Sequence, residues 1–259
     1  MVEHAVVVAF VGILCGLINS LGGGGAAISL PSLLFLGVPP HIANASNRFG
    51  LVVGGITRVV VFHRKGLIDW QNTRLVAIPT ALGALLGAYA EEIVNNDILD
   101  VAVVGAIILS FLLLVRGTKR FLQDPLPQLL PISLRTQGIF FAIGIWTGFI
   151  AIESPTFFVI ALVLTIGYDL RYANAIKSVL MLLSSALATT LFSTHGDIQW
   201  NLASLLAISN MVGAWIGARA ASLPNASKRV YAVLVSALAL EISWMGWTNI
   251  VSKFLPPPT

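Results

Sequence analysis

Residues 66–90 read GLIDWQNTRLVAIPTALGALLGAYA, and residues 196–220 read GDIQWNLASLLAISNMVGAWIGARA. The two stretches lie 130 residues apart and align without a gap. They share a G-x-I-x-W loop, with Gly66, Ile68 and Trp70 against Gly196, Ile198 and Trp200. They also share Gly83, Ala84, Gly87 and Ala88 against Gly213, Ala214, Gly217 and Ala218. Upstream, Gly37, Ala43, Asn44, Ala45 and Phe62 recur as Gly167, Ala173, Asn174, Ala175 and Phe192. Apolar helices have similar compositions, so some of these identities are chance. A recurring loop and a recurring asparagine are not explained that way, and the chain reads as two related halves.

Working outward, each half holds five apolar segments: Ala5–Asn19, Ala26–Val38, Ala43–Phe62, Thr73–Ala90 and Ile98–Val115, then Gln137–Ile152, Thr156–Gly167, Ala173–Phe192, Leu202–Ala220 and Val230–Trp247. A crossing helix needs roughly 17–25 apolar residues. The third, fourth and fifth segments of each half are long enough, the first is borderline, and the second is too short. The first two segments of each half are therefore expected to form a broken or re-entrant pair. The fold expected is an all-α integral membrane protein of two repeats, residues 1–116 and 136–250. A linker at 117–135 joins them, broken by Pro125, Pro127 and Pro131, and a tail follows at 251–259.

Composition agrees. Only 10% of the 259 residues are charged, and mean hydropathy is +0.90. A soluble domain carries about 25% charged residues, so most of this surface must face lipid. The single cysteine, Cys15, excludes a disulfide framework and a Cys-rich metal site, and the four histidines have no metal-ligand spacing. No metal or cofactor is expected. No hydrolase elbow, zinc-protease or Walker motif is present, so an enzyme is not expected either.

Loop charges suggest orientation. The loop at His63–Lys65 is basic, that at Glu91–Asp97 acidic, and the linker basic again through Arg116, Lys119, Arg120 and Arg135. Basic loops stay cytoplasmic, so these read in, out, in. In the second half the Thr194–Gln199 loop reads out, and the Arg219–Arg229 loop reads in. Corresponding segments then cross in opposite directions, an inverted-topology repeat with both termini outside. A parallel repeat with misread loops is the competing reading.

Candidate site residues cluster at the breaks. Gly22, Gly23, Gly24 and Gly25 suit an irregular turn that aims the N–H groups of the next helix into the protein, where an anion would bind. Asn19 and Ser20 add polar partners. Helix packing through small residues is the bland alternative, but packing stripes space their glycines. The equivalent region of the second half is Glu153-Ser154-Pro155-Thr156, where Ser154 caps, Pro155 suits the first helical turn and Thr156 adds a hydroxyl. A carboxylate at membrane depth, Glu153, is a candidate proton carrier; the alternative is a residue at a wet mouth. Asn44, Asn47 and Arg48 share one helix face, and Asn174, Lys177 and Ser178 share another. Both suit a lined anion path. Snorkelling to the interface is the alternative, strongest for Arg48, and Arg58 is expected to snorkel toward the His63–Lys65 loop. Gly83-x-x-x-Gly87 and Gly213-x-x-x-Gly217 are expected to be helix-crossing faces.

These features together resemble the sulfite exporter TauE/SafE family. The resemblance rests on GLINSLGGGGAAISLP ending at Pro31, on LGVPPHIANASN, on the basic GLIDW loop and on the GALLGA helix, the later parts echoed in the second half. It covers nearly the whole chain. It implies a secondary transporter of a small sulfur-containing anion, such as sulfite or an organosulfonate, often moved outward. Family members commonly carry glycine-rich blocks in both halves; here the second is replaced by Glu153–Thr156. An anion channel, or an importer of a related oxyanion, is the alternative function. The expected partners are a small anionic substrate and the lipid bilayer of the inner membrane, with a homodimer allowed and no nucleic acid.

Overall fold

The computed structural model describes residues 2–91, 96–123, 126–149, 154–195 and 198–254. Every regular element among them is helical. The first half gives α1 (Val2–Leu21), α2 (Gly25–Phe35), α3 (Pro40–Arg64), α4 (Trp70–Glu91) and α5 (Asn96–Arg116). A single turn, α6 (Thr118–Phe121), follows. The second half gives α7 (Leu134–Phe149), α8 (Ser154–Ala161) with a π-helical extension (Leu162–Ile166), α9 (Leu170–His195), α10 (Trp200–Ala221) and α11 (Ala226–Phe254).

Four helix starts keep the 130-residue offset seen in the sequence. α3 and α9 begin at 40 and 170, α4 and α10 at 70 and 200. The chain before α3 and α9 turns at Gly37 and Gly167, whose φ of +80° and +98° favours glycine. The α2 helix has 11 residues, about 16 Å at 1.5 Å per residue, against a hydrocarbon core of about 30 Å. It cannot cross, and neither can α8 with its extension. α4, α9 and α10 are long and apolar enough to cross. α1, with 20 residues, also has the length of a crossing helix.

The halves interlock. α1 lies along α10, and α7 lies along α4. At the first crossing a side chain added at Gly213 would strike Ile13 and Leu17, and one at Gly16 would strike Asn210 and Ala214. At the second, one at Gly83 would strike Phe141 and Ile145, and one at Gly148 would strike Ala84 and Ala88. The two Gly-x-x-x-Gly faces expected from sequence are thus in use. Each meets a second small-residue face on the first helix of the other half, where backbones approach closely and dispersion contacts hold them.

The broken segments are embedded unequally. Phe158, Val159, Leu162 and Ile166 of α8 and its extension are sealed within the main core, together with Ala173, Ile176 and Leu180 of α9. Of the described apolar side chains on α2, Leu33 alone is fully sealed, and Phe35 is 91% exposed. The linker helps to account for the difference. Leu126 N and Leu130 N donate to Gly167 O (3.0 Å) and Ile166 O (2.9 Å), and Phe121 is buried against Tyr231. The linker therefore clamps the end of the π-helical turn instead of running free. The tail beyond residue 254 lies outside the described residues.

One side-chain expectation changes, and the interfacial alternative for Arg48 drops out. Arg58 does not snorkel: it is 3% exposed, on the face of α3 turned inward. Arg48 is fully buried too, not anchored at an interface.

Candidate functional site

The glycine turn forms as its sequence suggests. Gly23 and Gly24 have φ of +153° and +84°, which breaks α1 from α2. Asn19, in the last turn of α1, bridges the break. Its Oδ1 accepts from Gly25 N at 3.1 Å, and its Nδ2 faces Cys15 Sγ at 3.4 Å. The N-terminus of α2 is therefore capped by the helix before it. Ser29 is buried one turn on and donates to Gly25 O at 3.3 Å.

The two broken segments meet. A Cβ at Gly23 would lie 2.7 Å from Pro155 Cβ and 3.6 Å from Thr156 N. Ser154, Pro155 and Thr156 are all buried in the first turn of α8. Two half-helices thus approach by their N-terminal ends inside the bundle. Glu153 lies outside the described residues.

A cation from the opposite half sits at each break. Lys177 of α9 donates to Asn19 O (2.8 Å), Gly22 O (2.9 Å) and Asn174 Oδ1 (2.6 Å). Asn174 Nδ2 donates to Ser20 O at 2.6 Å. Arg48 of α3 donates to Thr147 O (3.0 Å) and Gly148 O (3.1 Å) of α7, and its guanidinium lies 5.5 Å from the Phe192 ring. The Asn19 and Thr147 carbonyls hold matching places at the two crossings. Gly213 abuts Leu17 where Gly83 abuts Ile145, and Asn19 and Thr147 each follow two residues later. The last carbonyls of a helix lack intrahelical donors, and the macrodipole favours a cation there.

The other named residues divide. Ser20 Oγ donates to Gly16 O and Ser178 Oγ to Asn174 O, so both hydroxyls are used on backbone. Asn44 is half-buried. Asn47 is buried, and its Nδ2 has no hydrogen-bond partner.

Asn47 belongs to a face that the sequence reading missed. Asn47, Leu51, Gly54 and Arg58 follow an i, i+4, i+7, i+11 spacing, which is one stripe of a helix, and all four are buried. Leu51 packs with Cys15 and Ala26 beside the glycine turn. A Cβ at Gly54 would strike Asn210 Oδ1 and lie 3.3 Å from Arg58 Nη1. Arg58 Nη1 and Asn210 Oδ1 are both sealed without a hydrogen-bond partner. The spacing was a signal available in the sequence. With Arg48 and Lys177 the interior holds three cations and, among the described residues, no buried carboxylate.

Outside the crossing segments the halves are pinned by Asp69 and Tyr168. Tyr168 OH donates to Asp69 Oδ2 at 2.7 Å, and Asn72 Nδ2 donates to both groups. Burial works against the Asp69 charge, but the hydrogen bonds from Tyr168 and Asn72 outweigh it and hold the carboxyl below its ordinary range. Burial, and then the bond to Asp69, push the Tyr168 phenol well above its usual value.

A helix pair broken at a buried glycine turn, small-residue crossings and a cationic interior on a lipid-facing bundle are the features of an integral membrane transporter. The chain belongs to the sulfite exporter TauE/SafE family, whose model matches residues 8–242. It is similar to a "Probable membrane transporter protein" of Xylella fastidiosa strain Temecula1, 28% identical over 90% of this chain and 92% of the relative. It is also similar to the "Probable membrane transporter protein YfcA" of Escherichia coli K12, 29% identical over 81% of this chain and 78% of that relative. A "Probable membrane transporter protein YunE" of Bacillus subtilis is 22% identical over 85% of this chain and 88% of the relative. The family and these relatives are named as transporters, not enzymes.

Proposed function

We propose that the protein exports a small sulfur-containing anion, sulfite or an organosulfonate, across the inner membrane, with transport coupled to protons that bind together with the anion. The observation that carries this reading is the α3 stripe. Asn47 Nδ2 and Arg58 Nη1 are buried donors with no acceptor, on a face that also borders the glycine turn. A buried donor left unpaired costs about 1–3 kcal/mol, more when charged, and an oxyanion supplies the missing acceptors. The two positions are eleven residues apart, about 16 Å along a helix. That is too far for one small anion, so they act as successive stops on a path past the N-terminus of α2. The loop charges, the reciprocal packing of α1 on α10 and α7 on α4, and the reciprocal placement of Lys177 and Arg48 support an inverted pair of repeats with both termini outside. Glu153, beside the start of α8, is the proton carrier in this reading.

The test is a ligand-stabilisation series on purified protein with sulfite, sulfate, thiosulfate and small sulfonates. A sulfur anion should stabilise the wild type, and Arg58→Gln should weaken its binding about 10–100-fold, the worth of one charged hydrogen bond. No stabilisation by any of these anions, or an unaltered Arg58→Gln, overturns the assignment. Repeated across pH, binding to the wild type should weaken as pH rises, and Glu153→Gln should lose that dependence. An unaltered Glu153→Gln profile removes the coupling role.

A further inference from the structure

A groove of about 570 Å³ runs along the outside of the bundle between α3 and α10, remote in character from the buried path. Its walls come from residues four or so apart on each helix, among them Ile56, Val60, Met211 and Trp215. All four are at least 36% exposed, and the lining carries no carboxylate. Its hydroxyl, Thr57 Oγ1, donates to Val53 O of its own helix. The walls thus offer apolar surface.

One end differs. A Cβ at Gly50 would touch Leu206 and one at Gly54 would strike Asn210, so α3 and α10 run side by side in the same direction. Arg64 and Lys65 at the end of α3 therefore lie level with Arg219 near the end of α10. All three line the groove. The Arg219 guanidinium sits 3.9 Å above the Trp215 ring, which holds it over the mouth. From Ile56 to Arg64 the groove extends about 12 Å, close to the roughly 15 Å depth of one leaflet.

We propose that this groove binds one anionic phospholipid, with an acyl chain along Ile56, Val60 and Met211 and its phosphate held by Arg64, Lys65 and Arg219. An apolar trough one leaflet deep that ends in three cations is complementary to such a lipid, and a zwitterionic headgroup would bring no net charge to them.

The test uses delipidated full-length protein titrated with phosphatidylglycerol or phosphatidylcholine of the same acyl chains. Bound lipid is counted by native mass spectrometry, and melting temperature is followed in parallel. Phosphatidylglycerol should bind with about tenfold or greater preference. The preference should vanish in Arg64→Gln/Lys65→Gln/Arg219→Gln. In Val60→Trp, which fills the trough and keeps the cations, lipid retention should fall. Lys228→Gln/Arg229→Gln, exposed and outside the groove, should behave as wild type. Equal binding of the two lipids, a preference that survives the triple change, full retention by Val60→Trp, or an equal loss in the Lys228/Arg229 control each overturns the proposal. Equal stabilisation by soluble glycerol 3-phosphate also overturns it, because the trough would then be irrelevant.

Discussion

At the first break the chain leaves α1 through four glycines, two of them at positive φ, and a lysine from α9 gathers the loose carbonyls. At the second, α7 ends under the fork of an arginine from α3, and α8 begins with Ser154-Pro155-Thr156. The first break gets its shape from backbone freedom and its cohesion from a flexible, three-donor ammonium. The second uses a proline suited to a helix start and a planar guanidinium that meets two carbonyls at once. The two breaks therefore keep one electrostatic task while the residues that perform it change. Lys177 and Arg48 are not even at matching repeat positions, since the residue 130 places before Lys177 is Asn47.

Four measurements test that contrast. The largest effect is expected from Lys177→Met. It leaves Asn19 O, Gly22 O and Asn174 Oδ1 short of a donor, at about 1–3 kcal/mol for each buried acceptor. Unfolding in detergent should show a loss of several kcal/mol and no anion binding; a variant as stable as wild type would mean that the lysine is not what closes the first break. Arg48→Lys keeps the charge and loses the fork. One charged hydrogen bond, about 1.5–3 kcal/mol, should disappear from the same unfolding curve, and a neutral result would show that the fork geometry is dispensable.

Gly24→Ala places a side chain at φ +84° and should cost about 1–2 kcal/mol. Ser154→Ala at the other break changes a residue in helical conformation and should cost less. Melting temperatures of the pair decide whether backbone freedom belongs to the first break. The smallest effect concerns the clamp outside the crossing helices. The folded-state pKa of Asp69 is lowered, so its contribution is complete above the ordinary carboxylate pKa of about 3.9 and is lost as pH falls through the folded value. Asp69→Asn should narrow the stability difference between neutral and acid solution. An unchanged acid profile would mean the Tyr168 contact contributes nothing to stability.

Much of this architecture could be read from the residues. Segment length marked α2 and α8 as too short to cross, because rise per residue and bilayer thickness leave no latitude. The Gly83 and Gly213 faces were legible because a glycine four residues from another on an apolar helix has few other uses. Their partner helices were not legible: nothing local says that Gly83 meets α7 of the other half. Arg58 was misread because its nearness to the His63–Lys65 loop gave it a route to water. The direction of a side chain is fixed by the stripe it shares with Asn47, Leu51 and Gly54, not by distance from a helix end. Arg48 and Lys177 could be placed on polar faces, but their carbonyl acceptors lie 99 and 158 residues away in the chain.

The crossing of α1 on α10 also imposes a schedule on the newborn chain. Ribosomes add about 5–20 residues per second, and α10 begins only at Trp200. For about 10–40 seconds after α1 emerges, its glycine face, Asn19 and Ser20 are without the surfaces that finally cover them. An apolar helix with an unsealed glycine face and a polar last turn must be kept from pairing with a wrong neighbour for that time, so early custody of α1 by the insertion machinery is a requirement of the finished geometry.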